Sequence, residues 1–159
     1  MESDTDLYDK DIVVWCERQA EALRALRAQA GTNAVDWDNL IEEVEALGRS
    51  ETRAVESLIT RALEHMVKSV RWPDHPDRDH WLNETVIFLS DAQLGFTPSM
   101  RQKIDLSGLY TKAARNVARL RSYPVPAAMV QREWTGPGLD ILLSDDFNIG
   151  KALEMIGKA

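Results

Sequence analysis

Residues 36–70 read DWDNLIEEVEALGRSETRAVESLITRALEHMVKSV. Trp37, Leu40, Ile41, Val44 and Leu47 recur at steps of three and four, and so do Val55, Leu58, Ile59, Ala62, Leu63, Met66, Val67 and Val70. At 100° per residue the two sets share one phase: Trp37 and Val55 fall at the same angle, with Gly48 and Thr52 filling the face between them. Asp36 is a good cap for the first turn. Gly48 and Ser50 could instead end one helix and cap another. The intervening "GRSET" is short for a reversal, however. The reading is one long helix over 36–70, straight or bent at Gly48.

Its glutamates pose the first functional question. With Leu40, Ile41, Val44 and Leu47 setting the apolar face, Glu42 points almost directly away. Glu43 and Glu45 sit on opposite flanks, roughly 90° to 110° from the face centre. They cannot converge on one ion from within this helix. A di-metal bundle needs single glutamates and Glu-x-x-His pairs aimed inward from several helices, and the chain has no Glu-x-x-His. These carboxylates are therefore expected to be a solvated side of the helix. Glu51 lies nearer the face, and if buried it needs a partner such as an arginine.

The rest of the chain is also helical in period, with no strand-like alternation and no repeat. A first helix is expected from Leu7 to Ala30, capped by Thr5 or Asp6, with Leu7, Tyr8, Ile12, Trp15, Gln19, Leu23 and Leu26 inward. After Trp72-Pro73 and the connector "PDHPDRD", a helix from Asp77 to Leu94 turns Trp81, Leu82, Thr85, Leu89 and Ala92 inward. Thr97-Pro98 opens another, with Leu106, Leu109, Tyr110, Ala113, Val117 and Leu120 on one side. Met100 and Ile104 are off that phase, which points to a kink near Ser107-Gly108. From Tyr123, "YPVPAAMVQREWTGPG" has no period and should run extended. Leu139 to Phe147 should form a short docking helix, and the last dozen residues should fray. The fold class is all-α. It is a bundle of four to five helices in a single domain over 1–159, with a helical body over 7–122 and an irregular segment over 123–159.

Composition bounds the functions. A chain of 159 residues with 44% hydrophobic and 28% charged residues suits one globular domain. No apolar run approaches the ~20 residues of a membrane span, and the acidic N-terminus has no signal-peptide pattern. The single cysteine, Cys16, cannot form an internal disulfide, so a cytoplasmic location is the default. It reads as a small buried hydrophobe. The net charge of −7 is segregated: residues 1–51 hold 13 acids and 5 bases, whereas residues 100–122 hold six bases and only Asp105. That suggests pairing within the monomer or between copies. The acidic total argues against nucleic acid as the partner.

Several stretches carry a resemblance. "LYDKDIVVWCERQAEALR", "DWDNLIEEVEALGRSE", His65 with Lys68 and "RWP" at 71–73, and then Trp81 resemble the bacterial family named domain of unknown function 29. The match covers roughly Leu7 to Leu120 and is densest at Asp36 to Glu51. A looser match follows through "LLSDDF". The resemblance implies an all-helical fold, and since the family's name assigns no activity, no catalytic residue comes with it.

Three constellations remain as candidate sites. His65, His75 and His80, with Asp77 and neighbouring acids, are residue types that suit zinc or another divalent metal. Against this, Pro76 interrupts the connector and His65 lies off the apolar face. Arg101, Lys112, Arg115 and Arg119 would fall within about 60° of one another on a continuous helix, as a basic patch opposite the apolar stripe. Trp15, Trp37 and Trp81 follow the core period and should find a partner for each indole N–H. Trp72 and Trp134 could instead cover a groove or mark a contact surface. There is no GxGxxG, Walker loop, GxSxG, CxxC or HExxH, and no cofactor is expected. The leading expectation is a non-catalytic helical scaffold or protein-interaction module that associates with itself or with another protein. The alternatives are a metal-dependent helical-bundle enzyme built on the three histidines, and polyanion binding through the basic helix.

Overall fold

A computed structural model describes residues 4–31, 34–122 and 133–157 of the chain. Among the described residues there are seven α-helices, one 3-10 helix and no strand. The helices are α1 (Asp4–Lys10), α2 (Ile12–Gln29), α3 (Trp37–Arg71), α4 (Arg78–Gly95), α5 (Leu106–Ala118), α6 (Leu139–Leu142) and α7 (Ile149–Gly157), with the 3-10 helix at Pro98–Gln102. They fall into two compact units, one of residues 1–54 and 96–103, the other of residues 55–95 and 104–159.

Helix α3 runs unbroken for 35 residues, as the shared phase of its two apolar sets requires. Asp36 caps it: its carboxylate accepts from the Asn39 amide at 3.4 Å and the Asn39 side chain at 2.6 Å. Gly48 is helical and buried. A Cβ added there would lie 3.2 Å from the Cys16 Cβ, so this glycine lets α2 and α3 approach closely.

In the first unit, Leu7, Val13, Cys16, Ala20, Ile41 and Met100 form the core. The expected single helix over 7–30 is interrupted at Asp11, whose backbone is extended at φ −151° and ψ 82°. Its carboxylate accepts from Val14 N at 3.2 Å, Ser99 N at 2.9 Å and Ser99 Oγ at 2.8 Å. Burial raises the pKa of this group, but the bonds from Ser99 and Val14 outweigh it and hold Asp11 below its ordinary 3.8. The interruption shifts the inward face of α2 by one residue, so Val13, Cys16 and Ala20 are buried where Ile12, Trp15 and Gln19 were expected. Tyr8 and Leu26 are exposed. α1 also begins at Asp4, ahead of the expected cap at Thr5 or Asp6. On the first half of α3 the buried line runs through Ile41 and Gly48, leaving Leu40 and Leu47 roughly 90° to 110° away and exposed.

The second unit holds the larger apolar set. Val55, Ile59, Ala62, Leu63, Met66 and Val67 of α3 are buried as the sequence period requires, and so are Trp81, Thr85, Leu89 and Ala92 of α4. The buried hydroxyls of Thr60, Ser69 and Thr85 donate to the carbonyls four residues back, which satisfies them without breaking their helices. The break expected at Ser107-Gly108 occurs earlier: the 3-10 helix ends at Gln102 and α5 begins at Leu106. Met100 and Ile104, off phase for one continuous helix, are therefore both buried. Leu120, two residues past α5, is exposed instead of inward.

Of the segment expected to run extended, residues 123–132 lie outside the described residues. After it, Leu142 and Leu143 dock as expected, but the helix there spans only Leu139–Leu142, short of the expected Leu139 to Phe147. The final stretch does not fray over 149–157: α7 forms there, its first turn capped by Asn148 on the Lys151 amide at 3.0 Å, with Ala152 and Ile156 buried. Among the described residues, no helix is long and apolar enough to cross a membrane.

Candidate functional site

The polar and aromatic residues of the second unit concentrate where the end of α3 meets the start of α4. His65 is half-buried and stacked on Phe88, with ring centroids 5.8 Å apart and planes 12° apart. Its Nδ1 is buried with no hydrogen-bond partner among the described residues. Burial first, and then the charges of Lys68 and His80, push its pKa down to about 4. His65 is thus a neutral imidazole at physiological pH, and it lies deeper than its place off the apolar face suggested. Lys68 Nζ lies 5.0 Å from the centre of the Trp81 ring. Burial lowers its pKa, against the opposing pull of Glu64 and Asp77. On the outer side of the cluster, Arg61 sits 5.8 Å over the Phe88 ring.

These residues include the proposed metal ligands, which the fold separates. His65 and His80 are neighbours, with ring centroids 6.5 Å apart. His75 turns elsewhere and stacks on Trp81 at 4.7 Å, while its Nδ1 accepts from the Asp77 amide at 3.1 Å. Among the described residues, no three His, Cys, Asp or Glu side chains come together in a way that could hold a metal ion. Cys16 is buried, which pushes its thiol above the ordinary value, so it reads as packing. Arg71, Trp72, Pro73, Asp74 and His75 line an open depression of about 270 Å³.

The tryptophans divide. Trp81 is buried, Trp15 and Trp37 are half-buried, and the Trp37 indole nitrogen is buried without the expected partner among the described residues. Trp134 donates its N–H to the Pro137 carbonyl at 2.9 Å and lies 5.3 Å from Tyr110, so it covers the second unit.

The basic patch is also divided. Arg101 belongs to the 3-10 helix in the first unit, whereas Lys112, Arg115 and Arg119 lie on α5 and at its C-cap in the second. The three α5 bases are exposed, and none forms an ion pair among the described residues. The glutamates of the opening stretch are the solvated side of α3. Glu42 pairs with Arg49 and Glu45 with Arg24, and Glu43 is exposed.

One feature did not emerge from the sequence period. Opposite its buried row, α4 exposes Val86 at 48%, Ile87 at 50% and Leu94 at 86%. This outward side mixes the three apolar residues with the polar Asn83, Ser90 and Asp91. An amphipathic surface helix would carry mainly polar residues there. Beside Val86, a groove of about 200 Å³ is lined by the apolar Val86, Leu89, Leu142 and Phe147 together with the polar Ser90, Gln93, Ser144 and Asp145. The run "TVIFL" (85–89) carried the signal, since four apolar residues in succession cannot all face one core.

An all-helical body, in which no three His, Cys, Asp or Glu side chains come together to hold a metal ion among the described residues, defines the class: a helical protein that bares apolar side chains on α4. More specifically, the chain belongs to the family described as Domain of unknown function DUF29, whose model matches residues 7–147. It is similar to an alpha-helical protein of unknown function from Rhodospirillum rubrum, with a TM-score of 0.82 and 28% identity over 94% of this chain and 97% of that one. No curated protein matches it.

Proposed function

We propose that this protein is a helical protein-interaction module that works by contact, with the outward side of α4 as its contact surface. The supporting observation is the exposure of Val86, Ile87 and Leu94 on a helix whose other side already fills the core. A large apolar side chain left 86% exposed at the end of such a helix gains from being covered. The flank of this surface is acidic, with Glu84 and Asp91 roughly 40° to 60° from Ile87. Neither forms an ion pair among the described residues. The fitting partner is therefore a helix that carries apolar side chains beside a line of bases. Full-length protein and its Leu94→Glu variant, used as paired baits, test the reading. The expected result is that one defined protein is retained by the wild type and lost by the variant, with helical content equal in both. Identical retention by both would remove α4 as the contact surface.

A further inference from the structure

We infer that the partner covering α4 is a second copy of this chain, which lays its own α5 along that helix. The inference rests on reading the outward side of α4 as a contact surface, and it adds the identity of what binds there.

The charges that the fold leaves over point to this partner. In the first unit, bases meet acids: Arg24 with Glu45, Arg27 with Asp38, Arg49 with Glu42 and Lys103 with Glu17. In the second unit, two rows do not meet. Glu84 and Asp91 stand on α4, and Lys112, Arg115 and Arg119 on α5, with no ion pair among the described residues. The two rows share a spacing. Glu84 to Asp91 and Lys112 to Arg119 are both seven-residue steps, about 10.5 Å along a helix.

Each charged row also has an apolar neighbour. On α4, Ile87 and Leu94 lie roughly 60° to one side of the acids. On α5, Leu109 lies roughly 60° to 80° to the other side of Lys112 and Arg119. Leu109 is half-buried. Rows offset in opposite senses coincide when two right-handed helices lie side by side and run parallel, as e and g positions do in a parallel coiled coil. In that arrangement Glu84 faces Lys112 of the second copy and Asp91 faces Arg119, with Ile87 and Leu94 turned toward the flank of α5 that carries Leu109. Each copy holds both halves of the match, so a two-fold pair makes the contact twice.

Sedimentation velocity on the full chain over a concentration series, at low and high salt, tests this. The wild type is expected to form a dimer that salt weakens. Lys112→Glu with Arg119→Glu, or Glu84→Lys with Asp91→Lys, should each weaken the dimer by about tenfold or more, because each sets like charges face to face. All four together should restore it, and that rescue is specific to this pairing. All four positions are solvent-accessible, and circular dichroism checks that the variants fold. A dimer indifferent to the reversals, or not rescued by the swap, overturns the α4–α5 pairing. A strict monomer whose Leu94→Glu variant still loses a different protein overturns the second copy and leaves the contact reading standing. A monomer for which Leu94→Glu changes nothing removes both. A monomer that binds RNA with steep salt dependence, lost on Lys112→Glu with Arg119→Glu, overturns the inference in favour of a polyanion on α5.

Discussion

Leu63 and Glu42 lie on one helix in opposite surroundings, and their substitution separates packing from surface charge. Leu63 has no exposed surface, so Leu63→Ala should cost ~2–5 kcal/mol in denaturant unfolding through lost transfer energy and the cavity left behind. Glu42 pairs with Arg49 in solvent, and Glu42→Ala should stay within ~0.5 kcal/mol. Glu43→Ala should match it, because Glu43 is exposed with no ion-pair partner among the described residues. His65 makes a different kind of prediction. Its folded pKa of about 4 lies below the ordinary 6.5, so between those values the unfolded chain binds more protons than the folded one. Stability should therefore be fully present above pH 6.5 and fall as pH drops toward 4. His65→Leu should flatten that part of the pH–stability curve. An unchanged slope would mean that the imidazole is not held neutral.

Asp11 shows how an element can depend on a residue far along the chain. Its carboxylate caps α2 and binds Ser99, 88 residues later, so Asp11→Ala should cost ~1–3 kcal/mol by thermal or denaturant unfolding. Asp11→Asn should cost less, because it keeps an acceptor oxygen. The same residue marks the limit of sequence reading. Local period could place α3 and α4 with their inward rows, since helices of that length repeat their pattern many times. It could not show that Asp11 is extended, because the cause lies at Ser99. Nor could it place the break before α5, which buries both Met100 and Ile104. Helix α7 was legible in principle: Asn148 caps it, and Ile149, Ala152, Leu153 and Ile156 follow at helical spacing, but its terminal position argued for fraying. At the candidate site, sequence identified the histidines as chemically able residues. It could not show that His75 would stack on Trp81 and leave His65 and His80 as a pair. The outward row of α4 went unread because the inward row already satisfied the period.

At the scale of the whole molecule, the segregated charge of the sequence resolves into two situations. In the first unit the paired acids and bases are exposed, where such pairs add little to stability. In the second unit the charged rows of α4 and α5, without ion pairs among the described residues, accompany the exposed Val86, Ile87 and Leu94. Replacing Leu94 with glutamate should leave unfolding within ~0.5 kcal/mol of the wild type, since an 86% exposed side chain contributes little to the fold. It should nonetheless abolish association. That dissociation of stability from binding is what a contact surface predicts and what a core position would not give. The most direct measurement places a photo-reactive amino acid at position 87 in the full-length protein in living cells, with position 43 on the solvated side of α3 as the control. One discrete cross-linked protein band is expected from position 87 and none from position 43. No cross-link from position 87, or the same products from both positions, would contradict a contact surface on α4.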